Sequence, residues 1–230
     1  MHLSSGLLST LPGIDHAFGI NGEEIPARYQ AAWQENKARW KQVHGNGFAE
    51  IVGAGQDCGE VDAVYSRFSG VPVAVMTADC VPILMSRRDG GAVAAIHAGW
   101  RGTRSGIVEE LWRKLRSEGE NPAHWVAAIG PSIGPCCYEV SEELAADFSK
   151  TFSKLGDNLA VPSFRHLDLP AIQAETLRRL GLSEVELSRA CTKCSRSLPL
   201  SSGQEERFLL HSYRREGGGT RQFSVISIRS

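Results

Sequence analysis

The chain has 230 residues, 42% hydrophobic and 22% charged, proportions of an ordinary globular protein with length for one large domain or two small ones. Its 25 basic and 26 acidic residues leave a net charge of −1, which excludes the basic face that nucleic acid demands. No apolar run reaches the length of a membrane span, and the N-terminus lacks the basic start and long apolar stretch of a signal peptide, so a cytoplasmic location is the expectation.

Residues 1–22 read as an irregular arm or a first strand around positions 15–19. Between Pro26 and Trp40 the aromatic residues Tyr29, Trp33 and Trp40 recur at i, i+4 and i+11, and Pro26 suits a first helical turn, which predicts a helix over 26–40. A strand series follows. Segments 49–52 and 63–65 are short, whereas 71–77, 81–85 and 91–98 are nearly continuous in apolar residues, as in strands buried on both faces. Segment 105–118 carries Ile107, Val108, Leu111, Trp112 and Leu115 on one helical stripe, with Gly119 placed to cap it. Segment 124–130 reads as a strand, Ser141 caps a helix carrying Leu144, Phe148 and Phe152, and 170–180 is a further helix between Asp168 and Gly181. Segments 185–188 and 222–228 read as closing strands. Helices and strands interleave without strict βαβ periodicity, so residues 1–230 read as a single mixed α/β (α+β) domain.

Three residues stand at the ends of these apolar runs: His44 in Lys41-Gln-Val-His-Gly45, Cys80 in Thr77-Ala-Asp-Cys-Val-Pro82, and His97 in Ala95-Ile-His-Ala-Gly-Trp-Arg-Gly102. Two imidazoles and a thiolate suit zinc with one coordination position left for chemistry, and copper also takes these ligand types. Spacing alone leaves other roles open, because a lone loop histidine is often surface and a lone cysteine between strands is often core. After His97, a glycine turn, Arg101 and a helix start form a local order that can hold an anion beside a metal. A surface salt bridge is an equal reading for Arg101. In a cytoplasmic setting the six cysteines, at 58, 80, 136, 137, 191 and 194, are read as unpaired. A closed four-thiolate site from Cys136, Cys137, Cys191 and Cys194 is disfavoured, since adjacent side chains of an extended chain point apart.

Five segments resemble, in order, the laccase-domain family, whose members are also described as multicopper polyphenol oxidase-like proteins, purine nucleoside phosphorylases and peptidoglycan editing factors. They are Lys41-Gln-Val-His-Gly45, Thr77-Ala-Asp-Cys-Val-Pro-Ile-Leu84, Ala95-Ile-His-Ala-Gly-Trp-Arg-Gly-Thr103, Ile129-Gly-Pro-Ser-Ile-Gly-Pro-Cys-Cys-Tyr-Glu-Val140 and Ser212-Tyr-Arg-Arg215. The resemblance implies mixed β-sheets layered between helices, and His44, Cys80 and His97 as zinc ligands. The implied activity is phosphate-dependent cleavage of purine nucleosides (adenosine, inosine, guanosine, methylthioadenosine), with adenosine deamination in the same pocket. Arg101 is then the expected phosphate holder. The alternatives are an amidase editing peptidoglycan precursors at the same zinc site and a copper-dependent polyphenol oxidase. The oxidase is disfavoured by a chain with seven histidines and no His-x-His arrangement. One departure stands out. Family members carry, ahead of the Gln-Val-His motif, a longer segment with Ser-Thr-Arg and Gly-Gly-Val-Ser stretches; here positions 16–23 read His-Ala-Phe-Gly-Ile-Asn-Gly-Glu, without the arginine. Residues 1–40 therefore read as a short divergent N-terminal segment, and substrate preference is where it bears.

Overall fold

Apolar residues on both faces of the central strands decide the layering. The computed structural model describes residues 2–23, 25–196 and 207–229. The chain runs through helix α1 (Gly6–Ser9), strand β1 (Ile14–Phe18), a 3-10 turn at Ala27–Tyr29 and helix α2 (Gln30–Asn36). Seven strands follow in succession: β2 (Arg39–Lys41), β3 (Phe48–Ile51), β4 (Asp57–Glu60), β5 (Ala63–Ser66), β6 (Val73–Thr77), β7 (Val81–Arg87) and β8 (Val93–Ala98). Helices α3 (Trp100–Arg104) and α4 (Ile107–Ser117) lead to β9 (Trp125–Ile129), α5 (Glu142–Thr151) and α6 (Leu169–Leu180). The last elements are β10 (Glu184–Leu187), α7 (Tyr213–Glu216) and β11 (Gln222–Ile228).

One mixed sheet has the strand order β10-β9-β7-β8-β5-β3, a second has β1-β11-β6, and β2 pairs with β4 alone. Along β7 and β8, Val81, Ile83, Met85, Ala94, Ile96 and Ala98 face a core shared with Leu111 and Trp112 of α4 and Ile172 of α6. The alternate residues Leu84, Val93 and Ala95 face a second core, shared with Val73, Val75 and Ile226 of the smaller sheet. Beyond that sheet, Ala17, Ala74 and Val225 pack on Tyr29 and Trp33 at α2. The protein is a mixed α/β fold in which two sheets lie face to face between helices, and the buried runs 71–77, 81–85 and 91–98 are strands because both faces are covered.

Where the structure differs from the sequence reading, packing is the reason. The helix expected over 26–40 stops at Asn36, because Lys37 turns to extended backbone (φ −58°, ψ 135°). Trp40 instead lies on β2, its ring edge-on to Trp33 with centroids 5.9 Å apart. The Tyr29–Trp33 spacing is helical; Trp40 joins the same cluster from a strand. The helix expected over 105–118 is α4, which starts after the left-handed Gly106 (φ 75°, ψ 44°); the short α3 ahead of it, Trp100–Arg104, was not expected. Strand β4, mostly exposed and polar, carries no alternation to reveal it. Helices α1 and α7 span four residues each, too few for a period to show.

Arg67, just past β5, joins the large sheet to the C-terminal end of α4. Its guanidinium pairs with Glu50 at 2.9 Å, Glu118 at 3.0 Å and Glu120 at 3.3 Å. Hydrogen bonds from Lys114 and then Arg67 outweigh burial and hold the Glu118 carboxyl below its ordinary value. A depressed carboxyl stabilises the fold above its unfolded pKa of about 4.3 and loses that contribution as pH falls through the folded value. Arg67→Met is therefore expected to cost about 1–2 kcal/mol at pH 7, allowing for solvent screening of this partly buried network. The difference should shrink below about pH 4. Urea unfolding of both proteins at pH 7 and pH 3.5 checks this, and an equal gap at both values would refute it.

Candidate metal centre

The three residues of interest come from two turns and the end of strand β8. In the β7–β8 pairing Val81 lies opposite Ala98 and Pro82 opposite His97, so Cys80, one residue before β7, reaches the end of β8. His44 lies between β2 and β3 in a left-handed conformation (φ 61°), unusual for a non-glycine residue. The fully buried Asp62 holds that turn: its Oδ2 accepts from the backbone N–H of Val43 at 3.3 Å and of Gly45 at 2.7 Å, and its Oδ1 from that of His44 at 2.9 Å. Asp79, also left-handed (φ 90°), makes the sharp bend before Cys80.

The ligand-capable atoms of His44, Cys80 and His97 all lie within 4.8 Å of one another. The two imidazole rings meet edge to face, centroids 4.8 Å apart. His97 Nδ1 lies 2.8 Å from Asp62 Oδ1. Burial opposes ionisation of Asp62, but hydrogen bonds from His97 and from the Gly45 and His44 N–H groups outweigh it and keep the carboxyl below its usual range. An ionised Asp62 makes His97 Nδ1 the protonated, donating nitrogen and leaves Nε2 for the cluster, the orientation a carboxylate gives a metal-ligating histidine. Burial also disfavours the Cys80 thiolate, yet hydrogen bonds from His44 and His97 bring its pKa down to about 6. For His97, burial lowers the pKa, while Asp62 and Cys80 raise it to about 9.

Gly99 closes one side of the cluster. A Cβ there would lie 3.0 Å from Cys80 Sγ and 3.2 Å from His44 Cδ2. Its backbone (φ −72°, ψ 173°) is open to any residue, so the absence of a side chain is a matter of space at the cluster. Gly99→Ala is expected to fold normally but to weaken metal binding by about 1–3 kcal/mol, the usual cost of overpacking. Competition against a chromophoric chelator measures it; unchanged affinity would show that the cluster yields freely.

Arg101 lies on α3, exposed, its guanidinium 4.4 Å from the centroid of the Trp100 ring. Among the described residues it makes no ion pair or hydrogen bond through its guanidinium. Tyr138 links it to the cluster electrostatically: burial and then Cys80 push the phenol up to about 12, while Arg214 and Arg101 act against them. Tyr138 stands inside a motif segment but carried no signal of its own. Asp62 was missed altogether, since one carboxylate before a strand resembles any other. Gln42 turns away, donating to Met76 O at 2.8 Å and accepting from Met76 N–H at 2.7 Å. Asp79 is equally engaged: its carboxylate accepts from Thr192 Oγ1 at 2.6 Å and from Arg214 N–H at 2.7 Å, so it braces a turn rather than carrying protons.

Residues 21–229 match the family described as multi-copper polyphenol oxidoreductase laccase. A protein of Escherichia coli (strain K12) named purine nucleoside phosphorylase YfiH is 34% identical over 159 residues, covering 68% of this chain and 64% of that protein. A protein from an unknown prokaryotic organism named adenosine deaminase RL5 is 33% identical over 156 residues, covering 63% of this chain and 60% of that protein. The aligned part thus spans less than two thirds of the length of either relative. The crystal structure of YlmD from Geobacillus stearothermophilus superposes with a TM-score of 0.78 at 26% identity, covering 96% of this chain and 93% of that one.

Proposed function

This chain belongs to the family described as multi-copper polyphenol oxidoreductase laccase, and we propose that it is a zinc-dependent purine nucleoside phosphorylase that also deaminates adenosine. The observation that carries the reading is the convergence of His44, Cys80 and His97 within 4.8 Å, with Asp62 fixing His97 from behind. Two imidazoles and one thiolate fit zinc, and three protein ligands are the number a catalytic rather than a structural zinc keeps. Bound there, the ion would supply Lewis acidity to a substrate atom. The names of the relatives in Escherichia coli and the unknown prokaryote support the two reactions.

Arg101 supplies the anion holder. A guanidinium over the Trp100 ring keeps N–H groups for a phosphate fork, and no carboxylate competes for it among the described residues. Phosphate held there would attack the anomeric carbon, and the glycosidic C–N bond would break with its electron pair leaving on the purine. Arg101→Ala is accordingly expected to lower phosphorolysis roughly 10- to 100-fold through KM for phosphate, the value of a charge-assisted hydrogen bond. Adenosine deamination, which uses no phosphate, should be spared. Parallel loss of both reactions would remove Arg101 from this role.

Copper suits the same ligand types, but oxidation by several coppers needs further histidine sets, and among the described residues only this cluster contains histidine. No described helix is long and apolar enough to cross a membrane. The deciding experiment incubates the purified protein with adenosine, with and without phosphate, and follows ribose-1-phosphate, adenine and inosine by mass. Product appearing only from nucleoside supports the reading. No turnover of any purine nucleoside by zinc-loaded protein overturns it and favours the amidase alternative.

A further inference from the structure

Four cysteines outside the His44 cluster meet in one place. The Sγ atoms of Cys136, Cys137, Cys191 and Cys194 all lie within 4.8 Å of one another, and none is in a disulfide. The adjacency of Cys136 and Cys137, which argued against such a site, is resolved by the local backbone. Both N–H of Cys137 and N–H of Tyr138 donate to Gly134 O, at 2.9 and 3.0 Å, so residues 134–138 form a tight turn. Successive side chains in a helical turn diverge by about 100° rather than the 180° of a strand, and both thiols can face one centre.

We propose that these four cysteines form a second metal site, a closed tetrathiolate centre that binds structural zinc. With zinc–sulfur bonds of about 2.3 Å, a tetrahedral site has sulfur–sulfur edges of about 3.8 Å. Cys136 Sγ and Cys194 Sγ are 3.8 Å apart, far beyond the roughly 2.05 Å of a disulfide. All four sulfurs within 4.8 Å fit one ion and leave no room for a polynuclear cluster. The backbone donors gather on Cys191. Gly134 N–H donates to Cys191 Sγ at 3.3 Å, and the N–H groups of Lys193 and Cys194 donate to the same sulfur. Donation from the second and third residues of a Cys-x-x-Cys turn back to its first sulfur shapes that turn around an ion at its mouth.

The placement gives the ion a task. It joins the turn at 134–138 to the segment 191–195, two stretches with no strand or helix of their own, held otherwise by Gly134 N–H on Cys191 Sγ and, just ahead of the turn, by Thr192 N–H donating to Ser132 O at 3.0 Å. Both stretches then bear on Asp79, through Ile133 N–H to its carbonyl at 2.9 Å and through Thr192 Oγ1 to its carboxylate. Asp79 precedes Cys80, and Tyr138 follows Cys137, so the tetrathiolate centre clamps one wall of the His44 site from outside.

The test uses His44→Ala, which weakens the first site while leaving all four cysteines in place. After purification under reducing, chelator-free conditions, elemental analysis is expected to give one zinc per chain with an all-sulfur shell by X-ray absorption. Native protein is expected to carry this zinc alone when the first site is empty, and a second, mixed nitrogen–sulfur zinc beside it when the first site is filled, so the two readings fail separately. Cys136→Ser/Cys194→Ser, two exposed positions, should lose this zinc and melt at a lower temperature. Metal-free His44→Ala protein with six titratable cysteines, a mass two hydrogens light with a Cys-Cys crosslink, or iron in place of zinc would each overturn the proposal.

Discussion

Cys80→Ala is expected to empty the His44 site and reduce nucleoside turnover at least roughly a thousandfold, with the fold intact. The reduction follows from charge stabilisation of several kcal/mol that leaves with the ion. The fold survives because Cys80 is only partly buried at a turn, and its neighbour Asp79 supplies the hydrogen bonds that shape that turn. Without the sulfur, two imidazoles remain, one of them exposed, and two nitrogen ligands do not compete with buffer for zinc as three ligands do. Metal analysis, adenosine turnover and a thermal melt on one preparation check all three parts. Full zinc retention at this site would show that the sulfur is no ligand. Lost activity with full metal would make Cys80 a participant in the chemistry instead.

That expectation rests on residues legible in the chain before any fold was known. His44, Cys80 and His97 each ended an apolar run, and strands that end at a common edge deliver such residues to one place. Their partners were not legible for a physical reason. Asp62 acts through backbone N–H groups of residues 17 to 19 positions away, and its hold on His97 spans 35 positions, distances with no pattern to follow. Cys136 and Cys137 were read with strand geometry, and the turn at Gly134 changes the angle between them. Trp40 shows the same limit: its spacing from Trp33 reads as helix, yet pairing of β2 with β4 decides its backbone. Periodicity reports which residues share a face and stays silent about turns, where this protein keeps His44, Cys80 and the four clustered cysteines.

Asp62 carries the second large effect, and its two oxygens make the outcome definite. Oδ1 serves His44 N–H and His97 Nδ1, while Oδ2 serves Val43 and Gly45 N–H. Asp62→Asn keeps the shape but turns one oxygen into an NH2 donor, and either orientation of the amide sets it against donors. With nitrogen at the Oδ1 position, His97 must move its proton to Nε2 to accept at Nδ1, which removes it as a ligand. With nitrogen at the Oδ2 position, the turn that keeps His44 left-handed loses its anchor at Gly45. Both arrangements cost the cluster a ligand, so zinc affinity is expected to fall roughly 10- to 100-fold, the range seen when the partner of a ligating histidine is removed. Asp62→Ala leaves these buried donors with no acceptor and is expected to destabilise metal-free protein by about 3–5 kcal/mol. Chelator competition on the asparagine variant and urea unfolding on the alanine variant separate the two roles. Native zinc affinity in Asp62→Asn would mean that His97 binds metal without its carboxylate, and the cluster would then owe its geometry to the β8 backbone alone.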